Sequence, residues 1–243
     1  RIVADRIRAA CAKKQQEETS QYTDISLGYA TKEDPTEDLD KIMTLAEDLM
    51  YRRKLLENRS QHNNILTSIK STMFEKSNET EAHAGRLADH ARRLGTELGL
   101  LEDKLDELEL AATLHDLGKI NIDKNILTKP GPLTEDEWAE IRKHPEVGFR
   151  IANAISELHH IAEYILGHHE HWDGSGYPLR LSGTDIPLIS RIVSVVDAYD
   201  AMTQDRAYRK ALTPEQAREE ILRNAGTQFD PDIARLFVDR ILS

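Results

Sequence analysis

The chain has 243 residues, 39% hydrophobic and 31% charged, with a net charge of -11 and one cysteine, Cys11. That length supports one large or two modest domains with a real core, and a lone cysteine excludes an internal disulfide and suits a reducing, cytoplasmic setting. No run nears the roughly 20 apolar residues of a membrane span, and the acidic surplus argues against wrapping a nucleic acid polymer, which is held by basic surface.

The opening at Arg1, without an initiator Met or signal pattern, reads as the observed part of a longer protein. Ile2, Ile7 and Ala10 carry a helical pattern, and alternation through Ile25 and Leu27 predicts one strand over Thr23 to Ala30. After the acidic turn around Pro35, Leu39, Ile42, Met43, Ala46 and Leu49 mark an amphipathic helix. Residues 61–77 read as a polar helical connector with Ile65, Ile69 and Thr72 or Met73 on one stripe. Such a helix is either a plain linker or the pairing element of a homodimer.

From Asn78 onward the pattern is helical almost throughout. Leu87, Ala91, Leu94 and Leu98 mark one helix, and Leu101, Leu105, Leu108 and Ala112 the next. Thr134 with Glu137 forms a capping-box pattern, and Thr213, Pro214 and Gln216 place a cap followed by proline at the first helical position. The expected fold is therefore mainly α: an all-helical bundle over 78–243, a helical linker over 61–77, and a small partial α/β segment over 1–60.

His115 extends the apolar stripe of Leu108 and Ala112, and His83 shares the inner face of Leu87, so two histidines point inward from two helices. A lone inward histidine is more often a satisfied core residue than a ligand. His144, the pair His168 and His169, and Asp197 within the apolar run "RIVSVVDAYDAM" change that balance, because a metal ion compensates a carboxylate buried there. Imidazole and carboxylate donors without thiolate suit Fe, Mn, Zn, Ni or Co. The set reads as catalytic.

The stretches "ETEAH", "HDLGK", "KHPEVG", "HHEHWDGSGYP" and "VVDAYDAMTQDRAYR" resemble, in order and spacing, the signatures of the HD-GYP family of cyclic di-GMP phosphodiesterases. The resemblance implies an HD-type bundle holding two or three divalent ions, Fe or Mn by preference. It implies His83, His115, Asp116, His144, His168, His169 and Asp197 as ligands, with Asp116 bridging two ions. Glu79 stands one turn before His83 and is either a ligand to a third ion or an ordinary first-turn glutamate. Asp116 and Lys119 are the expected catalytic residues. Lys119 resembles the family's site lysine, which binds the scissile phosphate or assists the leaving oxygen; the alternative is a lysine facing a helix dipole.

Two metals a few ångströms apart deprotonate a water between them and neutralise phosphate oxygens during in-line attack. The turn from Asp173 to Pro178 lets Gly176 backbone approach a ligand and Tyr177 stack on guanine, while Arg206 and Arg209 meet phosphate or base edges; a purely structural turn is the alternative. Ala207 stands where the family commonly has Pro, and His171 adds an imidazole beside the His pair. His62, His90, His159 and His160 are read as having no role.

The segment before the linker, "ISLGYA" and "DLDKIMTLAEDLMYRRKLLENRS", resembles in loose form the C-terminal part of a GGDEF domain, without the loop that binds substrate. It implies a scaffold and no cyclase activity. The expected reaction is hydrolysis of cyclic di-GMP to pGpG, with the further step to GMP left open. The competing readings are a receptor that binds the dinucleotide without turnover and a phosphodiesterase for a mixed cyclic dinucleotide.

Overall fold

The computed structural model describes residues 30–31, 34, 38–77, 80–205 and 210–242, with side chains at 48 and 51–64 excepted. The expected N-terminal helix, all of the expected strand but Ala30, and Glu79, Arg206 and Arg209 lie outside the described residues. Among the described residues the structure is helical, and a lone bridge pairs Ala225 with Phe229. No described helix is long and apolar enough to cross a membrane.

The chain divides into two compact units, Arg1–Thr67 and Ser68–Ser243. The described helix of the first begins at Leu39, and Leu39, Met43, Leu45 and Leu49 are all exposed. The amphipathic stripe read from the sequence is thus not a core-facing stripe among the described residues. That helix and the connector are also not separate elements: α1 runs unbroken over Leu39–Lys76. No proline or glycine falls between those ends, so nothing interrupts the hydrogen-bond ladder.

In the second unit, α1 ends with Met73 buried and Ser77 donating its hydroxyl to the Met73 carbonyl. Helix α2 (Glu81–Glu97) starts at Thr80, whose hydroxyl accepts the His83 N–H, and α3 (Glu102–Leu114) packs against it. Gly95 permits that contact, since a Cβ there would lie 2.7 Å from Leu108 Cδ2. A 3-10 turn, Leu117–Asn121, follows α3, and then come short α4 (Lys124–Leu127), α5 (Glu135–Ile141), α6 (His144–Ala154) and α7 (Ala162–Leu166). Helix α8 (Leu188–Thr203) packs on α2 and α3, followed by α9 (Pro214–Arg223), α10 (Pro231–Leu236) and a closing π turn. Both capping boxes read from the sequence form, at Thr134 and Thr213.

The core joins Leu87, Ala91 and Leu94 of α2 with Leu108 and Ala112 of α3 and Ile192, Val193 and Val196 of α8. Each large apolar side chain buried there contributes about 1.5–3 kcal/mol relative to exposure. The β-branched residues of α8 have modest helix propensity, and burial of that helix outweighs it.

Candidate metal centre

The start of α2, the end of α3, the start of α6, the turn after α7 and the middle of α8 bring the predicted histidines and aspartates together in two clusters. In one, ligand atoms of Asp116, His144, His168 and His169 all lie within 4.8 Å of one another; the same holds for His83, His115 and Asp197 in the other. Asp116 joins them: Oδ1 is 3.1 Å from His144 Nε2, and Oδ2 is 3.1 Å from His115 Nε2. Lys119 Nζ donates to the same Oδ2 at 2.6 Å. Asp197 is half-buried rather than enclosed, and its Oδ1 lies 3.8 Å from the Nε2 atoms of His83 and His115.

The orientation of the imidazoles follows from the backbone. Nδ1 of His115, His144 and His168 faces the carbonyls of Ala112, Ile141 and Ile165 at 2.9, 2.7 and 2.6 Å. A carbonyl can only accept, so each Nδ1 carries the proton and each Nε2 turns its lone pair into the site. His83 is held the same way by a carboxylate, Nδ1 donating to Asp200 Oδ2 at 2.7 Å.

This donor chemistry fits divalent ions. His144 Nε2 and His168 Nε2 are 3.2 Å apart, two lone pairs facing each other, and His144 Nε2 faces Asp116 Oδ1 in the same sense. A proton between the imidazoles would require an imidazolium. Burial pushes the His168 pKa well down, and the neighbouring His169, His144 and His115 push it further. Burial likewise drives His169 down. A separation near 3 Å is what adjacent nitrogens adopt around one ion at about 2.1 Å. Burial alone would push the Asp116 carboxyl up, but the Lys119 ammonium on its Oδ2 outweighs it and keeps it ionised, well below the usual carboxylate range.

Two buried carboxylates that the sequence reading passed over support the site. Asp200 receives a fork from Arg86, Nε to Oδ1 at 2.6 Å and Nη2 to Oδ2 at 2.9 Å, while holding His83. Burial raises its pKa, and Arg86 and His83 pull it down to about 2. The folded value is depressed, so the clamp stabilises fully above the ordinary 3.8 and its contribution fades as pH falls toward about 2. Its sequence signal is the spacing from Asp197, which puts both on one side of α8. Asp200→Asn is expected to weaken metal binding at the His83 cluster by about 10–100-fold, the usual cost of losing a carboxylate behind a ligand histidine. A metal-competition titration measures this, and unchanged affinity would refute the clamp.

Glu170 is the second. Its Oε1 accepts the N–H groups of Leu179 and Arg180 at 2.6 and 3.1 Å, and its Oε2 that of Leu181 at 3.0 Å. It ties the turn to the strand of chain that carries His168 and His169. Gly176 is buried there, and a Cβ would lie 2.3 Å from His171 N and 2.6 Å from Glu170 Cα. The protein's own backbone requires the glycine there. The Tyr177 ring stacks on His169, centroids 4.9 Å apart at 26°.

His171 belongs to neither cluster; its Nδ1 lies 2.9 Å from Ser175 Oγ. His90 packs edge-on to Tyr199 and Phe237, with its pKa lowered by burial, and His159 and His160 are exposed. The side chain of His62 lies outside those described.

An all-helical bundle with a His–Asp doublet at its centre defines a class, and comparison gives it a family. Residues 53–233 match the HD domain family, and the chain belongs to it. Among curated relatives, a cyclic di-GMP phosphodiesterase of Thermotoga maritima is 40% identical over 162 residues, 66% of this chain and 44% of that protein. The 3'3'-cGAMP-specific phosphodiesterase 2 of Vibrio cholerae is 38% identical over 187 residues, 76% of this chain and 36% of that protein. The chain therefore spans less than half the length of either. A solved HDG"Y"P protein from Bdellovibrio bacteriovorus shares the fold, with a TM-score of 0.57 at 17% identity over 87% of this chain and 75% of that one.

Proposed function

We propose that this chain is a metal-dependent phosphodiesterase that hydrolyses cyclic di-GMP to pGpG or, where both diesters are cut, to GMP. The observation that carries the reading is the joining of two donor clusters through the two oxygens of Asp116. The names of the related phosphodiesterases support the substrate class. A second reading, hydrolysis of a mixed cyclic dinucleotide, is favoured by the Vibrio relative named for 3'3'-cGAMP.

His83, His115, Asp116, His144, His168, His169 and Asp197 would hold two ions, Fe or Mn, and Glu79 would serve a third where three bind. Bound ions supply Lewis acidity toward phosphoryl oxygens and make water acidic enough to attack near neutral pH. Lys119, held at Asp116, directs its ammonium to a phosphate oxygen and offsets charge that grows there during in-line attack. Tyr177, braced on His169, offers its ring to guanine, and Arg206 and Arg209 bind phosphate or base edges.

On the same reading 78–243 is the phosphodiesterase domain, 61–77 a linker helix, either plain or pairing in a homodimer, and 1–60 a GGDEF-like scaffold, all in the cytoplasm. The test is turnover of cyclic di-GMP and 3'3'-cGAMP by protein of known metal content, with Mn or Fe supplied. Metal-dependent release of pGpG or GMP is expected. Tight binding of dinucleotide by a fully metallated protein without turnover would refute the enzyme.

A further inference from the structure

A cyclic dinucleotide carries two phosphodiesters, and only one can sit at the metal centre at a time. The other enters a protein of net charge -11, where an anion needs a local cation. Two cations stand at the edge of the site, Lys119 on Asp116 and Arg142 beside the Tyr177 ring. Lys119 is committed to Asp116 inside the cluster. Arg142 is not: it is exposed, and among the described residues no carboxylate lies within ion-pair distance of it.

Its position is set by the same elements that build the site. Arg142 caps α5, its N–H on the Trp138 carbonyl, and His144 follows almost at once as the first residue of α6. Its guanidinium carbon lies 6.0 Å from the centre of the Tyr177 ring, the ring that stacks on His169. An aromatic ring beside a guanidinium limits where it swings and leaves its N–H fork available to a ligand.

We infer that Arg142 binds the phosphodiester of the cyclic dinucleotide that is not being cleaved, and so selects a two-phosphate ring over a simple diester. This rests on the phosphodiesterase reading. A charge-assisted fork to phosphate is strong enough that its loss costs about tenfold or more in affinity.

The experiment compares metallated wild type, Arg142→Ala and Arg142→Lys on cyclic di-GMP, cyclic di-AMP and bis(p-nitrophenyl) phosphate, which has a single diester. The expected result for Arg142→Ala is a KM raised about tenfold or more on both dinucleotides, kcat nearly unchanged, and the simple diester hydrolysed at the wild-type rate, with Arg142→Lys partly restoring KM. An unchanged KM, an equal loss on the simple diester, or a loss confined to the guanine dinucleotide would overturn the inference, the last by making Arg142 a base reader. Wild type that cleaves the simple diester but neither dinucleotide would instead overturn the function on which it rests.

Discussion

Replacing Asp116 with alanine is expected to lower kcat/KM for cyclic di-GMP by about a thousandfold or more, a loss of roughly 4 kcal/mol of transition-state stabilisation. The reason is its position: one carboxylate reaches His144 through Oδ1 and His115 through Oδ2, each at 3.1 Å, and also anchors Lys119 at 2.6 Å. Alanine removes the link between the two clusters and the counter-charge of the lysine in one step. Metal content per chain should fall with the rate. Asp116→Asn keeps the volume but removes the charge, so it separates charge from packing and should be nearly as inactive. A variant with wild-type turnover and full metal content would show that the clusters are not the reacting centre.

Gly118→Ala is expected to destabilise the second unit by about 3 kcal/mol or more, a fall of roughly 6–12 °C in Tm for a domain of this size. Gly118 has no positive φ, so space rather than conformation dictates the residue. A Cβ there would stand 1.9 Å from the carbonyl oxygen of His144 and 2.6 Å from Gly148 N. These are backbone atoms and cannot rotate away. The 3-10 turn after Asp116 must retreat from the start of α6, which carries His144 out of the first cluster. Thermal unfolding and metal analysis of the same preparation test both consequences, and wild-type Tm with wild-type metal content would contradict them. Gly148→Ala meets Ile165 Cγ2 at 2.8 Å and Gly118 N at 3.2 Å, longer approaches than the 1.9 Å at Gly118, and should cost less.

Much of the site was legible because its residues carry local signals. His83 and His115 share apolar stripes with Leu87 and Leu108, so helical periodicity alone turns them inward. The capping residues Thr134 and Thr213 mark helix starts because orphan N–H groups there need an acceptor nearby in sequence. No helix-breaking residue separates the amphipathic stretch from the connector, and α1 runs through both. His171 adds an imidazole beside the His pair, and the folded chain sets it next to Ser175 and outside both clusters.

What the sequence by itself determined was the helical class, the donor types and the inward face of each ligand-bearing helix, because periodicity and side-chain chemistry are local properties. The tertiary structure alone decided how those faces meet: which donors form a cluster, that Asp116 touches both, and that Asp200 and Glu170 stand behind them. Arg86 and Asp200 sit on α2 and α8, far apart along the chain, and their fork exists only once α8 packs on α2. Gly118 and Gly176 likewise reveal their requirement only when distant or folded-back backbone arrives within 3 Å of where a side chain would begin.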